Sequence, residues 1–322
     1  MLFIYTYICD ILVAVICLNK YLRDFNYDLE TLESLGVIPF TLKKDTLKDN
    51  YIISWTTSKR YYDESMSDSR KRVDYVFGNA QKVGLDEMAM PDQPIGGEKC
   101  HELTYDEISE SYKTDLAHRE GTLWNVPKNY DAIFMTRETH FRIAEDYGRS
   151  ISLVYPAADC AIVRMYDKEK DVIGLTHSDI VHTSNNIIGD MVEYMKSHFN
   201  SNPENIMVFV GAFAQDGMVW DKYPPFAEQN PEVWNGYIEK IDDTHYNVQY
   251  GNRIYNQLVE SGLLEDNIYF DSDNTIKDDS YFSNNRFKLL KERDGRNLFG
   301  ITFDSLPVYE SQDNDEINTR LK

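Results

Sequence analysis

The apolar positions of this chain fall into short runs separated by polar punctuation, and the pattern is sharpest in its middle. Residues 151–155, 161–166 and 172–176 are strand-length runs rich in β-branched and aromatic residues. The pair 161–176 is apolar on both faces, with Ala161, Val163 and Met165 on one side and Ile162, Ile173 and Leu175 on the other. That pattern predicts two strands covered above and below. A helix is expected over 183–199, because Ile187, Ile188, Met191, Val192, Met195 and Phe199 share one face at helical spacing. Thr183 or Ser184 can cap its start, and Asn202-Pro203 follow its end.

Residues 205–210 read as a buried strand, 246–261 as a helix ending at Gly262, and 268–270 as a further strand. Residues 286–290 and 297–303 flank Asp294-Gly295, which predicts a hairpin. Upstream, 51–55 reads as a strand, and 105–113 and 138–146 as solvated helices. Pro91, Pro94 and Gly96-Gly97 mark a loop before Cys100 and His101. The fold class expected is α/β (α+β): a layered sandwich of mixed β-sheets flanked by helices, in one domain over 28–305. An apolar extension, 1–27, precedes it and an acidic tail, 306–322, follows.

Within the extension, residues 2–18 are almost continuously apolar, broken by Asp10. They lack a basic leader and stand at the short edge of a membrane span. An anchor or signal, a docked helix, and a start codon placed too far upstream are the readings open for them. Membrane contact is expected only through this stretch.

Charge narrows the partners. A formal net charge of −21 repels phosphate backbones, and the one basic cluster, Arg70-Lys71-Arg72, has Asp68 and Asp74 beside it. Nucleic acid is therefore not expected; a small-molecule substrate is. The cysteines at 9, 17, 100 and 160 form no paired framework, which points to a reducing, cytoplasmic setting.

The polar run 167–171 is the loop of the 161–176 hairpin. A loop symmetric about 168/169 puts Cys160 opposite His177, with Cβ atoms about 4.5–5.5 Å apart. A facing thiol and imidazole can be a nucleophile and its base, or ligands of Zn²⁺ or copper. They can also be a packed cysteine beside a hydrogen-bonded histidine. His101, His118, His140 and His182 are candidate third members. His182 also lies near a helix start, where backbone N–H groups favour an anion.

These residues carry a resemblance. The stretches 131–136, Ala158-Asp159-Cys160 through Val163, and 172–177 resemble the DALVT, ADC and xxGxxH blocks of the laccase-domain family, also called multicopper polyphenol oxidoreductases, purine nucleoside phosphorylases or peptidoglycan editing factors. Residues 210–217, 281–286 and 295–301 resemble its later blocks, and Trp55-Thr56-Thr57 an early one. The resemblance implies a layered α/β fold and a site of two histidines and a cysteine that binds Zn²⁺, with copper as the other metal. Cys160 and His177 match two of the three site residues and are the expected catalytic pair.

His101 is the expected third metal ligand. Alternatively Gln93-Pro94-Ile95-Gly96 occupies that block, and the ligand comes from elsewhere, such as His182. Arg286 and His182 are the expected substrate-binding residues, and the substrate class implied is a purine nucleoside or a phenol, with phosphate. The block HAGWRG is here His177-Ser178-Asp179-Ile180-Val181-His182 and loses its Gly, Trp and Arg. Three functions follow: a metal-dependent enzyme, a degenerate member with a binding or structural role, or a metal-free Cys–His hydrolase or deamidase.

Overall fold

Two six-stranded sheets form the body of the computed structural model, which describes residues 37–39, 52–57, 87–92, 98–113, 123–128, 130–147, 151–292 and 294–303. In chain order the first elements are β1 (Val37–Pro39), β2 (Ile52–Thr57), β3 (Glu87–Asp92), β4 (Glu98–Glu102), α1 (Tyr105–Lys113), β5 (Leu123–Lys128) and β6 (Tyr130–Thr136). They continue through α2 (Arg137–Tyr147), β7 (Ile151–Ala157), β8 (Ala161–Asp167), β9 (Val172–Ser178), α3 (Ile180–Ser184), α4 (Ile187–Phe199) and β10 (Ile206–Val210). Then come β11 (Met218–Trp220), α5 (Pro225–Gln229), α6 (Pro231–Trp234), β12 (Ile238–Lys240), β13 (Tyr246–Val248) and α7 (Tyr250–Glu260). The last are β14 (Ile268–Phe270), α8 (Asn284–Leu290) and β15 (Asn297–Phe303).

One sheet runs β1-β2-β15-β7-β3-β5, the other β14-β10-β8-β9-β6-β4, and a small ribbon runs β11-β13-β12. Both large sheets mix parallel and antiparallel pairs. The expected α/β layered sandwich is what the chain forms. Between the sheets, Leu153, Phe299 and Ile301 from one meet Ile162, Ile173 and Leu175 from the other. The opposite face of the second sheet carries Ala161, Val163 and Met165, covered by α4 through Ile188, Met191 and Met195 and by α7 through Ile254 and Leu258. The hairpin β8–β9 is thus the middle layer, apolar on both faces as its sequence predicts. Burying such side chains stabilises by about 1.5–3 kcal/mol each.

The hairpin register differs from the sequence expectation. Ile162 pairs with His177 and Asp167 with Val172, so Cys160 lies level with position 179, not 177. The loop is residues 168–171. The Asp167 carboxylate accepts the N–H groups of Glu169 and Lys170 at 2.8 and 3.1 Å, and Asp171 closes the turn at φ 51°. Asp167 therefore belongs to the strand and not the loop. A shift of two residues keeps both side chains on one face, as a pleat of period two requires. Cys160 and His177 become diagonal neighbours.

Further expectations are corrected. The helix over 183–199 is two helices, because Asn186 adopts a left-handed conformation at φ 59° between them. Asp179, not Thr183 or Ser184, caps the first. Residues 246–248 are strand, and the helix begins only at Tyr250. Residues 286–290 belong to α8, whose Ser283 cap accepts the Arg286 N–H at 3.2 Å, so Asp294-Gly295 is not a hairpin turn.

The helices over 105–113 and 138–146 and the strands over 151–155, 205–210, 268–270 and 297–303 form where expected. Residues 1–27, 306–322, Gly96-Gly97 and His118 lie outside the described residues. Among the described residues no helix is long and apolar enough to cross a membrane.

Candidate functional site

Strand β9 delivers His177 at its end, and the chain then turns into α3 on an Asp179 cap. The Asp179 side chain accepts the backbone N–H of His182 at 2.8 Å and its ring Nδ1–H at 2.7 Å. One carboxylate therefore ends the strand, starts the helix and swings His182 back over His177. The two imidazole rings lie 6.0 Å apart. Ligand atoms of His177, Asp179 and His182 all fall within 4.8 Å of one another.

His182 is held from both sides, since its Nε2 faces Asp131 Oδ1 at 3.2 Å. A neutral imidazole has one N–H, so two carboxylate partners favour the doubly protonated ring. Burial opposes that charge on His182, but the Asp179 hydrogen bond and the charges of Asp179 and Asp131 prevail and raise its pKa. Burial also pushes Asp179 up, yet the His182 hydrogen bonds and nearby imidazoles leave it below the ordinary carboxylate value. Asp131 is raised by burial, only partly offset by His182.

His177 behaves differently. Burial pushes it down to about 4, and the charges of His182 and Arg296 add to this against Asp179. It is neutral at pH 7, the form that ligates metal. Its ring stacks on Tyr155 at 4.6 Å and 18°. Burial pushes the Cys160 thiol up to about 12, reinforced by Asp179 and Asp159 and opposed by Arg296. Burial thus favours the neutral form of both side chains, the thiol of Cys160 and the uncharged imidazole of His177.

The mouth of the hairpin is built to stay closed. Tyr250 Oη donates to the Ser178 carbonyl and accepts from Ala161 N at 3.3 Å. Asp159, buried just before Cys160, accepts from Thr275 Oγ1, Asn285 N and Asn285 Nδ2 at 2.7–2.8 Å.

The remaining expected site residues stand elsewhere. His101 lies on β4, with Nε2 2.8 Å from Glu107 Oε1 and its ring against Tyr130 at 4.4 Å. It does not join the converging group, because its register partner on β6 is Ile133 rather than Asp131. Arg286 is buried as a clamp. It donates to the carbonyls of Thr275, Asp278 and Tyr281 and pairs with Glu292 at 3.0 Å, so its guanidinium is committed to its own loop. A cavity of about 570 Å³ between the ribbon and α7, lined by Gln215, Glu239, Asn252 and Tyr255 among others, includes none of these residues.

Sequence reading missed Asp179 and Asp131 as members of this site. The signal for Asp179 was a capping residue three positions before a histidine, and the cap draws that histidine toward it. Asp131 shows no local signal, since only the pairing of β6 with β9 brings it alongside.

Two imidazoles and a carboxylate form a donor set that can hold Zn²⁺ or copper, and the Cys160 thiol lies outside the converging group. Metal binding has a cost: His182 must lose a proton and release a carboxylate. If it kept Asp179 on Nδ1, the result would be a carboxylate–histidine–metal arrangement of familiar kind.

Residues 81–304 match the family described as multi-copper polyphenol oxidoreductase laccase. No curated protein matches the chain. Solved structures do. The Bacillus licheniformis hypothetical protein YfiH superposes with a TM-score of 0.60 at 18% identity, over 79% of this chain and 93% of that one. YlmD from Geobacillus stearothermophilus gives 0.62 at 14% identity, over 83% and 99%. The Neisseria meningitidis protein NMB0706 gives 0.56 at 14% identity, over 84% and 100%. At these identities the structures speak for the fold alone, but the sequence match spans most of the chain, and the chain is a divergent member of the multi-copper polyphenol oxidoreductase laccase family.

Proposed function

We propose that this protein is a zinc-dependent enzyme acting on a small polar substrate of the purine nucleoside type at the end of the β8–β9 hairpin. The observation that carries this reading is the convergence of His177, Asp179 and His182 to within 4.8 Å. His177 is neutral by burial and oriented by Tyr155, and Asp179 orients His182. When bound, zinc supplies a Lewis-acid centre that polarises a substrate oxygen or a water. Asp131, its carboxyl raised by burial, can hold a proton beside the site. Cys160 lies diagonally across the hairpin from His177, its thiol pushed up by burial.

Zinc has no redox chemistry of its own, so a zinc centre here would serve hydrolytic, phosphorolytic or deaminating chemistry on nucleosides rather than phenol oxidation. A degenerate, non-catalytic member would lack this capacity. Zinc titration into metal-free protein tests the reading. About one equivalent bound, with turnover of inosine or adenosine in its presence, supports it. Less than about a tenth of an equivalent sinks it.

A further inference from the structure

We propose that Arg296 is the anion-recognition residue of this site, presenting one open edge of its guanidinium to a phosphate or carboxylate group of the substrate or co-substrate. This deepens the reading above and rests on it. The register of β15 on β7 sets Asn297 opposite Ala157, so Arg296 emerges where the chain passes from β7 toward Cys160.

The backbone that presents it is fixed on both sides. A Cβ at Gly295 would meet the buried Phe282 ring at 2.5 Å, so that residue packs directly on the ring. Asn297 pairs with the Phe282 backbone through two hydrogen bonds of 3.0 Å. Between these anchors the Arg296 side chain is half-exposed. Its Nη1 is committed to Asp294 Oδ1 at 2.9 Å and to the Gly295 carbonyl at 2.7 Å. Among the described residues its Nε and Nη2 make no hydrogen bond, and these two donors form the fork that matches a two-oxygen anion.

The surroundings leave that charge usable. Of the acids near Cys160, Asp179 is matched by His182, and Asp159 by Thr275 and Asn285. The charge of Arg296 reaches both Cys160 and His177. An exposed arginine on a rigid backbone, in a chain of net charge −21, is a built feature that the metal ligands do not explain.

The test is calorimetric titration of inorganic phosphate, and separately of acetate, into zinc-loaded protein at constant ionic strength. Wild type, Arg296→Gln and Arg296→Lys are compared. Wild type should bind at least one anion, and which one names the substrate group. Arg296→Gln should weaken that binding about tenfold or more, and Arg296→Lys less, because the ammonium keeps the charge without the fork. Both variants should melt as wild type does. The proposal is overturned if wild type takes up zinc yet binds neither anion, or if Arg296→Gln binds as wild type does. Failure of zinc uptake with Arg296-dependent anion binding intact would instead fault the metal reading.

Discussion

His182 Nδ1 lies 2.7 Å from Asp179 Oδ1, and the same oxygen caps the helix on which His182 stands. One side chain thus sets both the backbone turn after His177 and the orientation of the second imidazole. Asp179→Asn keeps a capping oxygen but loses the charge. Helix α3 should survive at a cost of about 1 kcal/mol or less. The His182 pKa should fall, which NMR titration of its ring would read directly. An unmoved His182 would show that Asp179 does not hold its charge.

Burial makes acid a destabilising condition. His140, inside α2, is pushed down to about 4 by burial first and then by the charge of Arg137. The unfolded chain binds a proton near pH 6.5, so between about 6.5 and 4 it carries more protons than the folded one. Stability is therefore highest above that window and falls as pH drops through it, by up to about 3 kcal/mol for this histidine. His177, at about 4 as well, adds a similar slope in metal-free protein. His140→Gln should reduce the loss of stability measured by urea denaturation between pH 7 and 4, and an unchanged slope would contradict the assignment.

Gly300 of β15 faces Trp55, whose ring atoms would lie 2.3 Å from an added Cβ. Trp55 is buried and cannot retreat. Gly300→Ala should destabilise by about 1–3 kcal/mol through overpacking. Gly236→Ala makes a useful contrast: its Cβ meets nothing within 4 Å, but its φ of 87° makes the cost one of backbone strain. A Gly300→Ala protein as stable as wild type would mean that the sheet can shift away from Trp55.

Arg164 carries its guanidinium into the space between the sheets, where Nη1 donates to the Trp55 carbonyl at 2.7 Å and Nε to the Phe209 carbonyl at 3.3 Å. It ties the two layers together beside Phe299. Arg164→Ala should cost about 3 kcal/mol or more, because it strands buried carbonyls and opens a cavity. Arg164→Met fills the volume and should cost less. Equal costs would show that the lost hydrogen bonds, not the filled volume, set the cost here.

The sequence makes the layers legible and the site only partly so. Period-two patterning in 161–176 is intrinsic to strands buried on both faces, and Ile162, Val163 and Leu175 sit where it predicts. The register was not legible, because it depends on Asp167 turning its carboxylate onto the loop amides. Arg286-Phe-Lys-Leu-Leu has the look of a strand, but its Ser283 cap and the contacts of Arg286 make it a helix. His177 could be singled out from its place at a strand end. His182 gained its position from Asp179, and Asp131 from strand pairing distant in sequence, so neither partnership could be read locally.

The most direct test of the central claim is the zinc content of metal-reconstituted wild type, His177→Ala, His182→Ala and His101→Ala, measured by elemental analysis on folded protein. The account predicts about one equivalent in wild type and in His101→Ala, and less than about a tenth in His177→Ala and His182→Ala. Full zinc in His182→Ala together with its loss in His101→Ala would contradict it.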